Sequence, residues 1–103
     1  MTITEGRAAV AESDEVFFNP AMALNRDVTV AALRAHAGRR GVDDAAGDAP
    51  SYADAMGATG IRGIRAALET DYRVAINDRS TDAVEAIRRN LERNGLRPVD
   101  DAA

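Results

Sequence analysis

The stretch SYADAMGATGIRGIRAALETDYRVAIND, residues 51–78, decides the fold. Residues 51–56 form a short strand candidate, and 57–60 hold two glycines within a tight loop. From Ile61 to Glu69 the apolar residues Ile61, Ile64 and Leu68 recur at helical spacing. YRVAIN, residues 72–77, then reads as a second strand. Its centre shows little polar alternation, the pattern of a parallel strand covered on both faces. Strand, helix and strand in this order predict a parallel α/β unit with a right-handed crossover.

Toward the C-terminus, Ser80 is placed to cap a third helix, with Asp82 and Glu85 in its first turn, where acids suit the helix dipole. Val84, Ile87 and Leu91 share one face; Arg88, Arg89, Glu92 and Arg93 share the other. Gly95 stands where a C′ glycine ends a helix, Leu96 can close the accompanying apolar contact, and Pro98 forbids continuation.

Toward the N-terminus, residues 38–50 carry three glycines, a proline and opposed charges, the composition of a loop. Residues 21–37 read as a helix with Met22, Leu24, Val28, Val30, Leu33 and Ala37 on a broad apolar face, its main part starting at Asn25 or Asp27. Pro20 pushes Asn19 out of the helical region, and residues 1–20 read as an extended segment or loose hairpin. The whole is one small domain, with residues 51–99 as its βαβα unit. Two parallel strands do not complete a sheet, so the expected fold is an incomplete doubly wound α/β domain.

Composition narrows the function. Apolar residues make up 46% of the 103, but alanine dominates them and aromatics reach only 4%, so the core is expected to be thin. With no cysteine there is neither a disulfide framework nor a thiolate metal site. The start has no basic segment leading into a long apolar run, and no apolar stretch approaches a membrane span, so the chain reads as cytoplasmic, with no membrane and no metal partner. All thirteen basic residues are arginine and the net charge is −4. That balance opposes broad phosphate binding and suits a salt-rich cytoplasm or a GC-rich genome.

The loop at 57–60 also has a functional reading. In doubly wound folds, ligands sit at the carboxyl ends of the strands. Asp54 to Gly60 closes the first strand, and Asp78 closes the second. Gly57 and Gly60 permit positive φ and close approach of a ligand. The following helix aims its unpaired N–H groups at the same space. Asp78 stands where an acid accepts ribose hydroxyls. Glycines at 57, 60 and 63 give G-x-x-G-x-x-G, not the dinucleotide spacing. Asp54 would repel a diphosphate but suits an ammonium. The ligand that combines an ammonium, a sulfonium and a ribose is S-adenosylmethionine. On spacing alone, a dinucleotide and a purely structural loop remain open. His36, late in a helix, reads as a surface or dipole residue, and Arg65 with Glu69 as an i, i+4 pair without function.

Three segments carry a family resemblance: EVFFNPAMALNRDVTVAALRAHA (15–37), DAMGATGIRGIRAALET (54–70) and INDRSTDAVEAIRRNLERNGL (76–96). Together they resemble the N-terminal part of the archaeal and eukaryotic tRNA (guanine-26 N2)-dimethyltransferases, through FxNPxMxxNRD and ATGIRGxR. The resemblance implies a Rossmann-like, class I S-adenosylmethionine-dependent methyltransferase domain and tRNA as partner. It implies that Phe17 lines the cofactor pocket, that Arg26 and Arg62 contact the cofactor, and that Asp78 holds its ribose. The chain departs from the family's D-A-L-S-A-T-G at Met56 and Gly57. No residue matches the family's D-P-F/P catalytic motif or its third-strand acid, so these residues alone are expected to be inactive. Two alternatives are the front half of another S-adenosylmethionine-dependent methyltransferase and a non-catalytic binding module.

Overall fold

The computed structural model describes residues 2–13, 16–40, 50–55 and 57–97. The chain opens with an antiparallel hairpin of β1 (Thr2–Glu5) and β2 (Ala8–Ala11), turning at Gly6 with φ +56°. A 3-10 turn over Pro20–Met22 leads into α1 (Ala23–Arg40). Then follow β3 (Ser51–Asp54), α2 (Ile61–Glu69), β4 (Arg73–Ile76) and α3 (Thr81–Arg93). β3 and β4 pair in parallel, with Ser51 opposite Arg73 and Asp54 opposite Ile76.

Local signals explain most boundaries. The Asn19 carboxamide accepts the Ala21 N–H at 3.0 Å while Asn19 itself stays extended ahead of Pro20. That cap starts the 3-10 turn, which runs straight into α1 at Ala23, so the main helix begins ahead of the expected Asn25 or Asp27. Ser80 accepts the Ala83 N–H at 3.3 Å and caps α3. At its other end, Gly95 adopts φ +72°, with Gly95 N–H on Glu92 O at 3.0 Å and Leu96 N–H on Leu91 O at 2.9 Å. This pair of bonds is a Schellman stop. α1 runs through Gly38 to Arg40, past the expected end at 37; a helix tolerates one glycine at modest cost. The rest of the expected loop, 41–49, lies outside the described residues, as do Met56, Pro98 and the tail.

α2 is the hub of the fold. Ile61, Gly63, Ile64, Arg65 and Ala66 are all buried. Gly63 sits against β4 so closely that a Cβ would come within 2.5 Å of Ile76. Ile61 and Ile64 pack with Ala8, Val10 and Phe18, and Ile3, Leu68, Ile76, Leu91 and Leu96 surround them. A smaller cluster of Val16, Ala83 and Ala86 joins the entry segment to α3. Alanines dominate the smaller cluster, whereas the main one rests on Phe18 and branched aliphatic residues.

Two expectations are corrected. The apolar face of α1 divides: Val30 is buried and Leu33 and Ala37 half-buried, whereas Leu24 is 73% and Val28 59% exposed. The inward stripe runs Ala23, Arg26, Val30, Leu33, Ala37, so an arginine takes a place expected for an aliphatic residue. β4, expected to be covered on both faces, alternates instead: Val74 and Ile76 turn inward, while Arg73 and Ala75 are exposed. Among the described residues, α2 covers one face of the parallel pair.

A charged network locks the hairpin to the helices. The Glu5 carboxylate takes Arg26 Nε at 2.8 Å and Arg26 Nη2 at 2.7 Å, and also Arg65 Nη1 at 3.0 Å. Arg65 further binds Asp27 at 2.6 Å and Glu69 at 2.7 Å. The expected i, i+4 pair with Glu69 is present, but Arg65 is buried and joins three elements. Burial alone would raise the Glu5 pKa, but the hydrogen bonds and charges of Arg26 and Arg65 outweigh it and hold the carboxyl below its ordinary value. Arg65 likewise keeps Glu69 ionised to lower pH.

Candidate functional site

The parallel register sets the site. The ladder continues past the strands, with Asn77 N–H on Asp54 O and Gly57 N–H on Asn77 O, both at 2.8 Å. The loop after β3 is therefore held beside the segment that follows β4, at the carboxyl ends of both strands. Gly60 N–H returns to Gly57 O at 2.7 Å and closes a tight turn over 57–60. Gly60, with φ +88°, is the N-cap of α2. Ala58 also adopts positive φ, +49°, a conformation uncommon for a residue with a Cβ.

Asp78 relieves that turn. Its Oδ2 accepts the Ala58 N–H at 3.1 Å and its Oδ1 the Ser80 N–H at 3.0 Å. These backbone donors, Ser80 first and Ala58 second, hold its pKa below the ordinary aspartate value. Asp78 is thus ionised at neutral pH and keeps lone pairs for a ligand's hydroxyls.

A cleft of about 160 Å³ opens at this end of the sheet. Phe17, Arg26, Asp54, Gly57 and Arg62, five of the seven residues singled out from sequence, line it. Gly60 and Asp78 are not in its wall; Asp78 joins it through Ala58, which is. Phe17 is 69% exposed and presents its ring at the surface, whereas Phe18 is in the core under Arg26, whose guanidinium lies 4.6 Å from the Phe18 ring centroid. Arg26 is 5% exposed and is oriented by Glu5 and by the Asn19 carbonyl at 3.0 Å. Arg62 crosses to α1, donating to Thr29 Oγ1 at 2.6 Å. The cleft thus combines two oriented guanidinium groups, a carboxylate and an exposed aromatic ring. That set suits a ligand carrying both a carboxylate and an ammonium next to a flat ring.

The glycines have a packing reason that their spacing does not reveal. Gly57 is buried, and a Cβ there would stand 2.6 Å from Ile76 Cγ2 and 3.1 Å from Ile87 Cδ1. Close packing of the loop on Ile76 and Ile87 leaves no room for a side chain at 57, and close packing of α2 on β4 leaves none at 63. Positive φ occurs at Gly60, as expected, and at Ala58, where it was not; Gly57, also expected to use it, does not.

Sequence reasoning missed Glu5, Thr59 and Asn90. Glu5 stands near the chain start, far in sequence from the arginines that it orients. Thr59 is buried, and its Oγ1 accepts the Ile61 N–H at 3.3 Å in the first turn of α2. An asparagine on the inward face of α3 was the available signal for Asn90. His36 hydrogen-bonds the Tyr72 hydroxyl and lies away from the cleft lining. Among the described residues, no group of three or more His, Asp or Glu side chains is arranged to hold a metal, and no helix is long and apolar enough to cross a membrane.

Comparison with known proteins gives a consistent result. A family model described as N2,N2-dimethylguanosine tRNA methyltransferase matches residues 1–102. A tRNA (guanine(26)-N(2))-dimethyltransferase of Haloquadratum walsbyi is 43% identical, over 93% of this chain and 26% of its own length. The Archaeoglobus fulgidus protein of the same name is 41% identical, over 93% of this chain and 24% of its own. A solved complex of Trm1 from Pyrococcus horikoshii with S-adenosyl-L-methionine superposes with a TM-score of 0.78 at 36% identity, covering all of this chain and 26% of that one. The chain therefore spans about a quarter of the length of the relatives it matches.

Proposed function

Because the chain belongs to the N2,N2-dimethylguanosine tRNA methyltransferase family, we propose that it forms the cofactor-binding N-terminal portion of a tRNA (guanine-26 N2)-dimethyltransferase. The ligand is S-adenosylmethionine, which supplies an electrophilic methyl group on its sulfonium. The observation that carries this reading is the convergence of Phe17, Arg26, Asp54 and Arg62 on one cleft, next to a carboxylate tied into the 57–60 loop.

Each residue has a role suited to its chemistry. Arg26 and Arg62 provide charged donors for the methionyl carboxylate. Asp54 offers an opposite charge to the ammonium. Asp78 accepts from the ribose hydroxyls, its own orientation set by the Ala58 and Ser80 N–H groups. Phe17 presents a ring face against which an adenine can stack. Gly57 and Gly60 shape the loop so that α2 begins at the cleft. This machinery binds and orients the methyl donor. The acceptor in the proposed reaction is the exocyclic amine of guanine 26 in tRNA, brought to the sulfonium in near-attack geometry by the enzyme as a whole.

The test is transfer of labelled methyl from S-adenosylmethionine by the full-length protein that carries this segment. A tRNA transcript with guanosine at position 26 should be methylated, and one with adenosine there should not. Equal labelling of both, or of neither, would refute the proposal.

A further inference from the structure

Asn90 is 1% exposed, and its carboxamide joins three segments. Oδ1 accepts the Ala11 N–H at 2.8 Å and Arg93 Nη1 at 2.7 Å. Nδ2 donates to Ala11 O at 3.4 Å and to Thr59 O at 2.8 Å. One turn later, Asn94 repeats part of this pattern on Ala9, with Oδ1 on its N–H at 2.7 Å and Nδ2 on its carbonyl at 2.6 Å. Four residues along a helix rise about 6 Å, close to the two-residue repeat of a strand. Two amide side chains, Asn90 on α3 and Asn94 at its C-cap, therefore stand in for a neighbouring strand along β2.

Asn90 does something that Asn94 does not: it reaches the loop at 57–60. The Thr59–Gly60 peptide is held at both ends, its carbonyl by Asn90 and its N–H by Gly57 O at 2.7 Å. That peptide leads directly into Gly60, the left-handed N-cap of α2. Its orientation fixes where the first turn of α2, with Arg62, meets the cleft. From this we infer that Asn90 is a positioning residue for the cofactor loop, acting on S-adenosylmethionine through Thr59 without touching it. The inference rests on the cofactor reading above.

Calorimetric titration of the full-length protein with S-adenosylmethionine tests it. Asn90→Asp keeps acceptors for Ala11 and Arg93 but sets a carboxylate oxygen against the Thr59 carbonyl. It should weaken binding about tenfold, whereas Asn94→Ala, which loosens β2 without reaching the loop, should stay within about twofold of the unaltered protein. Equal affinities for the two variants would overturn the inference. Should Asn90→Asp fail to fold, amide exchange of the unaltered protein decides: saturating S-adenosylmethionine should slow the Ala11 amide more than the Ala9 amide, and equal slowing overturns the role. Asp78→Ala separates the two layers. If it leaves affinity intact, the cofactor reading itself fails; if it weakens binding while Asn90→Asp does not, only the positioning role fails.

Discussion

The carboxylate of Asp78 holds the backbone of Ala58 at 3.1 Å, across 20 residues of chain, at a point where Ala58 occupies the left-handed region. A side chain at the end of β4 thus stabilises the strained turn at the end of β3. The same group is the ribose acceptor in the proposed function. Asp78→Ala should lower S-adenosylmethionine affinity at least about tenfold, the loss expected for a charged hydrogen-bond partner. Asp78→Asn, which retains one acceptor oxygen, should fall between Asp78→Ala and the unaltered protein. Isothermal titration checks both, and unchanged affinity in Asp78→Ala would remove the assignment.

Helix–sheet contact predicts the next effect. A methyl group at position 63 would meet Ile76 at 2.5 Å. Alanine favours a helix over glycine by about 1 kcal/mol, but overpacking a tight contact costs about 1–3 kcal/mol. Gly63→Ala should therefore destabilise the chain by a net amount on the order of 1 kcal/mol. Ile76→Ala should cost less in the Gly63→Ala background than alone, because the two sites share one contact. Denaturant melts of the four chains would show whether this coupling exists.

Glu5 and Asp27 both pair with Arg65, yet they should differ greatly in weight. Glu5 is 12% exposed at its side chain and also holds Arg26, whereas Asp27 is 57% exposed. Glu5→Gln leaves two buried guanidinium groups without their shared counter-charge and should cost about 3 kcal/mol. Asp27→Asn, screened by water, should cost less than about 1 kcal/mol. Thermal unfolding distinguishes them, and similar losses would refute the burial argument.

Acid should unfold the chain through the same groups. Glu5 and Glu69 have folded-state pKa values below the ordinary carboxylate value. The unfolded chain therefore binds protons first, and stability contributed by these groups is complete above the unfolded pKa of about 4.3. It declines as pH falls below that value and is lost once pH passes through the folded values. Glu5→Gln should flatten this acid limb when unfolding free energy is measured from neutral pH downward. An unchanged slope would show that the network is not what acid dissolves.

Much of the fold was legible in the sequence because local chemistry specifies it. Ser80, Gly95 and the Asn19–Pro20 pair mark their helix ends by capping and by backbone restriction, interactions that reach only a few residues. Apolar spacing over Ile61–Leu68 and the run from Arg73 to Ile76 marked the parallel unit, and with it the end of the sheet where Asp54 and Asp78 gather. Periodicity failed for α1, where Leu24 and Val28 point outward and Arg26 inward. A hydrophobic count cannot foresee that a buried arginine will find its counter-charge in a strand 21 residues earlier.

What the sequence determined by itself is the order of elements, the position of the turn at 57–60 and the carboxylates available near it. Only the tertiary structure decided why glycine stands at 57 and 63, which arginines are held in place, and that Asn90 braces the loop. These depend on which atoms meet across α2, β4, α3 and the hairpin. Such contacts form between residues far apart along the chain, where no short-range propensity records them.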